Sequence, residues 1–378
     1  MPPVKPDALP LPALLSAAFV AFTVEADNAF EQQLPHRTTS FGASAERGAV
    51  WLTSLAMWFN CVRGLSDGGP QTVAELERRV RMGTNLDGMR RWGYITIDGT
   101  GRVPRRPSGA GKPHARPGSV LALTDRGRAA DAVWRPLPGA IEARWRDRFG
   151  AATVERLREG LVSVAGQIEA ALPDFMPITL GYDRPPEPPA RDPAERAQDR
   201  ELPLVSLLSR GLLRFELDCD HGERLWLAVW SDLIRVLDPS DAVASCDLPA
   251  LTGVSKEALS VMTGRLEKAG VVVLEPRPAP ARGKQLRLTP DRGVRARAAV
   301  PRRIERTVHA WEQTYGRTAV TELHAALRAV AGDGTRDGSP LFAGLEPPAN
   351  GWRAQVPPPR LLPWHPLVWH RGGYPDGS

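Results

Sequence analysis

The chain has 378 residues, 42% hydrophobic and 24% charged, with a formal net charge of +6 and a sequence pI of about 9.6. That is the composition of a soluble globular protein, long enough for two or three domains, and it leaves neither half dependent on a metal or disulfide for its core. Cys61, Cys219 and Cys246 have no paired spacing, which argues against a zinc cluster or disulfide framework and fits a reducing cytoplasm; the basic balance suits a polyanionic partner without identifying one.

In chain order, residues 8–22 form the first apolar segment. Pro10 and Pro12 within it, Lys5 as its basic flank, and a length short of a bilayer span argue against a signal peptide or membrane helix. They predict a packing helix with Leu14, Leu15, Ala18, Phe22 and Val24 on one apolar face. After an insertion over 33–49, residues 50–65 read as a buried helix carrying Trp51 and Trp58. Thr72 with Glu75 has the capping-box pattern and opens a helix that turns Val73, Leu76 and Val80 inward. Gly83 breaks it, a short helix runs through Leu86 and Met89 to Gly93, and 94–98 read as a strand.

Residues 99–123 contain no acid and hold Arg102, Arg105, Arg106, Lys112, His114 and Arg116. The end of that stretch, 119–123, reads as the returning strand, and 124–172 are helical with a break at Pro136 and Pro138. Residues 183–199, with five prolines and alternating charges, predict a stiff solvated linker.

From 202 the pattern resumes. A short helix starts at 247–251, and Ser255-Lys256-Glu257-Ala258 opens the next, with Leu259, Met262 and Leu266 on one face. Gly270 ends it; 271–275 is a strand, 277–284 a basic loop, 285–288 the return strand, and 294–330 a long helical region. The tail, 333–378, is rich in Pro, Gly and Trp and predicts an extended segment whose apolar residues wrap a domain or bind a partner.

The second half repeats the first. Leu14-Leu15-Ser16 and Phe22-Thr23-Val24-Glu25-Ala26-Asp27 return as Leu207-Leu208-Ser209 and Phe215-Glu216-Leu217-Asp218-Cys219-Asp220. Leu55-Ala56-Met57-Trp58 returns as Leu227-Ala228-Val229-Trp230; Trp92-Gly93-Tyr94-Ile95 as Ala269-Gly270-Val271-Val272; Leu123-Thr124 before Gly127 as Leu288-Thr289 before Gly293. Trp145, Phe149 and Gly150 return as Trp311, Tyr315 and Gly316. The order is kept, which marks a duplicated domain of roughly 150 residues and not a short solenoid repeat. A pseudo-two-fold chain suits a pseudo-two-fold ligand, of which duplex DNA is the commonest.

Each repeat thus reads helix, helix, two short helices, β-hairpin, helix, with a basic hairpin loop. That is the order of the winged helix-turn-helix, where a helix enters the major groove and the wing follows the phosphates. The wing candidates are Arg102, Arg105, Arg106, Lys112 and Arg116 in the first repeat, and Arg277, Arg282, Lys284 and Arg287 in the second. The recognition-helix candidates are Thr84 and Asn85, and Ser255, Lys256 and Ser260. No lipase elbow, P-loop or zincin pattern occurs, and the seven histidines have no ligand spacing, so a non-enzymatic protein without metal or cofactor is expected. Trp58, Trp145, Trp230 and Trp311 are read as core, His309 as a packed helix residue, Cys219 and Cys246 as inert thiols, and Asp218 and Asp220 as closing a helix turn.

The second repeat resembles the MarR family of transcription regulators. The resemblance lies in Ser255-Lys256-Glu257-Ala258-Leu259, in Arg265-Leu266-Glu267-Lys268-Ala269-Gly270-Val271-Val272, and in Arg282-Gly283-Lys284-Gln285-Leu286-Arg287-Leu288-Thr289-Pro290 with Gly293. It implies that the first two stretches are recognition helix and wing strand, and that the third is wing tip and return strand. It also implies a long helical region for dimerisation, and a small aromatic effector held between the long helices and each winged lobe. Two departures matter: the arginine common in the family near Val261 is absent, and the first repeat has Arg81, Gly83, Thr84 and Asn85 at the corresponding place with a far longer wing. The two repeats are therefore expected to read non-equivalent half-sites.

The resulting expectation is a mainly α chain with small β-hairpin wings, divided into a first winged-helix repeat (1–180), a Pro-rich linker (181–201), a second repeat (202–332) and a tail (333–378). The two tandem winged domains form a pseudo-dimer that binds double-stranded DNA, away from membranes, as a cytoplasmic regulator. The alternatives are a protein-interaction module using Pro357-Pro358-Pro359 and the Trp-rich tail, and an enzyme on a winged-helix scaffold.

Overall fold

The computed structural model describes residues 9–34, 55–81, 86–91, 93–98, 116–175, 187–196, 198–220, 227–254, 256–346, 349 and 361–364. The chain is mainly helical with two small antiparallel sheets. The first half runs α1 (Leu11–Gln33), α2 (Leu55–Gly68), β1 (Gln71–Thr72), α3 (Val73–Val80), α4 (Leu86–Arg91), β2 (Ile95–Ile97), β3 (Val120–Leu123), α5 (Asp125–Trp134), α6 (Leu137–Phe149) and α7 (Ala151–Ala165). A short α8 (Pro193–Arg196) precedes the second half: α9 (Leu204–Cys219), α10 (Leu227–Ile234), β4 (Val243–Ala244), α11 (Leu248–Thr252), α12 (Lys256–Lys268), β5 (Val272–Pro276), β6 (Lys284–Leu288), α13 (Arg292–Tyr315) and α14 (Arg317–Ala331).

The halves match in element order, except that α13 is one continuous helix where the first half has α5 and α6. Each sheet places the returning hairpin strand centrally, in the orders β1-β3-β2 and β4-β6-β5. Ile95 pairs with Leu123 in one, Val272 with Leu288 in the other. The hairpin feeds its following helix identically in both. Thr124 Oγ1 donates to Gly93 O and accepts from Gly127 N; Thr289 Oγ1 donates to Gly270 O and accepts from Gly293 N. The last two helices of each half meet at Gly150 (φ 85°, ψ 139°) and Gly316 (φ 94°, ψ 133°), a backbone region essentially closed to residues with a Cβ. Thr72 caps α3 as expected: its hydroxyl accepts from Glu75 N at 3.3 Å, and Glu75 Oε2 accepts from Thr72 N at 2.8 Å.

One hydrophobic core runs through both halves. Helix α1 packs on its counterpart α9, α1 also on α14, α9 on α7, and α7 on α14. Gly160 of α7 lies so close that an added Cβ would sit 3.0 Å from Leu323 Cα of α14. The contacts exchange between halves as in an isologous dimer interface.

Several expectations are revised. Helix α1 is buried on every face, not on one stripe, and Leu11–Phe30 is long and apolar enough to span a bilayer; it is wholly enclosed by protein. Most of the linker's described residues are exposed, but two anchor it: Arg191 and Asp199 are both buried and paired at 2.8 Å, and Arg210 of α9 joins Asp199 at 2.7 Å and Asp174 at 2.7 Å. The tail, expected to be extended, forms a 3-10 turn at Pro340–Gly344; its described apolar residues wrap the body, one of the two roles expected, with Leu341, Phe342, Leu345 and Leu362 buried. The helical stretch after the second hairpin is two helices divided at Gly316. His309 is exposed and meets Gln313, so it is no packed residue.

Candidate nucleic-acid interface

The second hairpin carries its basic residues where register and turn geometry put them. Leu286 and Leu288 face the core, so Lys284, on the same face but at the strand's outer end, projects past the core into solvent. Arg277 N donates to Gly283 O and closes the loop, and Arg282 is exposed at its tip. Arg287 lies on the opposite face beside Glu275 (3.3 Å), which Gln285 also holds at 3.1 Å. Gln285 first and Arg287 second hold the Glu275 carboxyl below its ordinary range, so Arg287 is partnered within the sheet, unlike the free wing cation expected. Arg282, Lys284 and the half-buried Arg277 remain as the cationic edge.

Helix α12 presents its other side. Leu259, Met262, Thr263 and Leu266 are buried; Ser260, Glu267 and Lys268 are exposed, and Gly264 has open space where a side chain would be. Ser260, Gly264 and Lys268 follow at four-residue spacing on one face. Gly264 escaped the sequence analysis, although the spacing from Ser260 points to it; Lys268 lies in the stretch that carries the family resemblance. Ser255 and the Lys256 side chain lie outside the described residues.

In the first half Arg116 is exposed at the entry to β3, with its N–H on Ser119 Oγ at 3.3 Å. Thr84, Asn85, Arg102, Arg105, Arg106 and Lys112 lie outside the described residues. Arg81, at the left-handed end of α3, turns back to Glu195 and the Leu172 carbonyl and is unavailable to a ligand.

The crevice between the helical body and the lobe that carries the hairpin is entered in both halves by the chain itself. In the first, Asn60 Nδ2 donates to Phe175 O at 2.9 Å, Phe175 meets Phe59 edge-on at 4.4 Å, and Asp174 pairs with Arg63 and Arg210. In the second, Trp364 N donates to Asp232 at 3.0 Å, the Arg235 guanidinium stacks 4.9 Å over the Trp364 ring, and Ser16 donates to Pro363 O at 2.5 Å. Leu172-Pro173 and Leu362-Pro363 are thus a sixth pair of matching segments, too short to find by sequence alone.

Cys219 is buried, and burial beside Glu216 and Asp220 pushes its thiol well above the ordinary range, which makes it inert; Cys246 is exposed, not the buried thiol expected. Among the described residues no three His, Cys, Asp or Glu side chains cluster as metal ligands. Comparison of the chain with family models, curated proteins and solved structures returns no match.

Proposed function

We propose that this chain is a DNA-binding transcriptional regulator of MarR-like type, a covalent pseudo-dimer with two non-equivalent winged helix-turn-helix repeats. The observation that carries the reading is the twice-built unit of strand, two helices and hairpin, with sheet order β1-β3-β2 and β4-β6-β5, on an exchange-symmetric helical body. In the second unit a cationic hairpin edge adjoins a helix whose open face carries small and polar side chains, Ser260 and Gly264. Phosphates are met by Arg277, Arg282 and Lys284, and bases by α12. The small side chains of α12 allow close approach but few bidentate base contacts, so specificity in this half rests more on groove shape than on hydrogen bonding.

A small aromatic effector entering either body–lobe crevice has to displace residues 172–175 or 361–364. The alternative, an interaction module recruiting a partner through the Trp-rich tail, loses weight because Trp364 is engaged internally.

Fluorescence anisotropy with a random fragment and with the upstream region of the chain's own gene, over a salt series, tests the reading. Affinity is expected to fall steeply with salt, and Arg282→Ala with Lys284→Ala to flatten the log–log slope by about 0.9 per lost phosphate contact. Absence of binding at low salt refutes it.

A further inference from the structure

Two equivalent places on the body are finished differently. Trp145 Nε1 donates to Glu25 at 3.0 Å and Trp311 Nε1 to Asp218 at 2.8 Å, equivalent indoles on equivalent carboxylates. Beside Glu25 and Trp145 the 3-10 turn Pro340–Gly344 is seated so closely that a Cβ on Gly344 would lie 2.1 Å from Glu25 Oε1, and Asn28 donates to the carbonyls of Leu345 and Glu346. Beside Asp218 and Trp311 the same place is, among the described residues, an open cleft of about 1070 Å³, between the ends of α7, α9 and α13 and residues 187–190. Its volume is at the upper end for small-molecule sites.

The walls differ in charge. The open cleft has Arg214, Arg303 and Arg306 where the filled side has Ala21, Leu137 and Ala140. Arg214 is buried and held by Asp218 and by Glu187, whose side chain is half exposed. Arg303 reaches Asp220 at 3.3 Å, and Arg306 is exposed at the rim. Polypeptide supplies both precedents on the molecule: a turn of chain fills the first cleft, and a chain-borne carboxylate sits on Arg214 in the second.

We propose that the open cleft is a docking site for an acidic, turn-forming segment of another polypeptide, whose carboxylate replaces Glu187 on Arg214 while a second meets Arg306. Such a segment lies as residues 340–346 lie in the first half, with acids facing the arginines that stand in for aliphatic side chains.

The test uses the full chain and no DNA, so its failure is separate from failure of the regulator reading. The probe is a fluorescent peptide with the sequence of residues 339–346, with Leu341, Phe342 and Leu345 each replaced by Glu. Binding by anisotropy is expected, weakened about tenfold by Arg306→Glu, an exposed substitution that leaves Tm unchanged, and strengthened by Glu187→Ala, which removes the resident competitor. No binding, or binding indifferent to both substitutions, overturns the proposal. Displacement of the peptide by millimolar citrate or phosphate, with an Arg306-dependent rise in Tm from the anion alone, also overturns it by making the cleft a small-anion site.

Discussion

Glu25 and Asp218 hold equivalent places but unequal environments. Glu25 is 1% exposed and receives Trp145 and Arg148, the latter at 2.6 Å; Asp218 is 32% exposed and receives Trp311 and Arg214. Glu25→Ala strands the buried Trp145 indole N–H and leaves the partly exposed Arg148 without its carboxylate, and is expected to cost about 3 kcal/mol, at the lower end for a broken buried pair. Asp218→Ala, with solvent to hand, is expected to cost about 1–2 kcal/mol. Urea unfolding of the two variants checks the order. Burial, aided by Arg328, depresses the His324 imidazole, although a backbone hydrogen bond with Leu9 opposes it. Below the unfolded value of about 6.5 the unfolded chain takes up a proton that the folded state refuses, so stability falls as pH drops through that window. His324→Gln is expected to flatten stability against pH between about pH 7 and 5.

The two hairpins depend on close backbone approach at Gly127 and Gly293. A Cβ there would lie 2.1 Å from Tyr94 O and 2.5 Å from Val271 O, rigid main chain in both cases. Gly127→Ala and Gly293→Ala are each expected to destabilise by about 2–3 kcal/mol, read from thermal or urea melts. These two glycines showed only as matching positions of the repeat, whereas the Thr72 cap and the strands at 94–98 and 271–275 were legible because their signals are local. The Arg287–Glu275 contact was not, since it depends on strand register, and neither was the burial of Arg191 and Asp199, whose partner Arg210 belongs to another element. Composition made 183–199 read as solvated, which most of its described residues are; the buried Arg191–Asp199 pair is the exception that packing allows. Helix α1 was expected to bury one face only; its polar residues Ser16, Glu25 and Asn28 are enclosed as well, because each meets a partner far along the chain, at Pro363, Trp145 and Leu345.

Across the whole molecule, the duplication was visible in sequence, but the merging of the halves was not. The first helix of each half packs on the last helix of the other, so neither half encloses its own core. Residues 1–201 and 202–378 expressed separately are expected to be poorly folded by circular dichroism and to regain helicity when mixed, whereas the intact chain unfolds in a single transition. Because α1 and α9 belong to one chain, their association is intramolecular, at an effective concentration set by the connection between them and not by the amount of protein present. A two-subunit regulator falls apart on dilution, and its occupancy of a site then bends with its own abundance. Here the pairing survives at a single copy per cell, and a substitution on one side is never forced on the other.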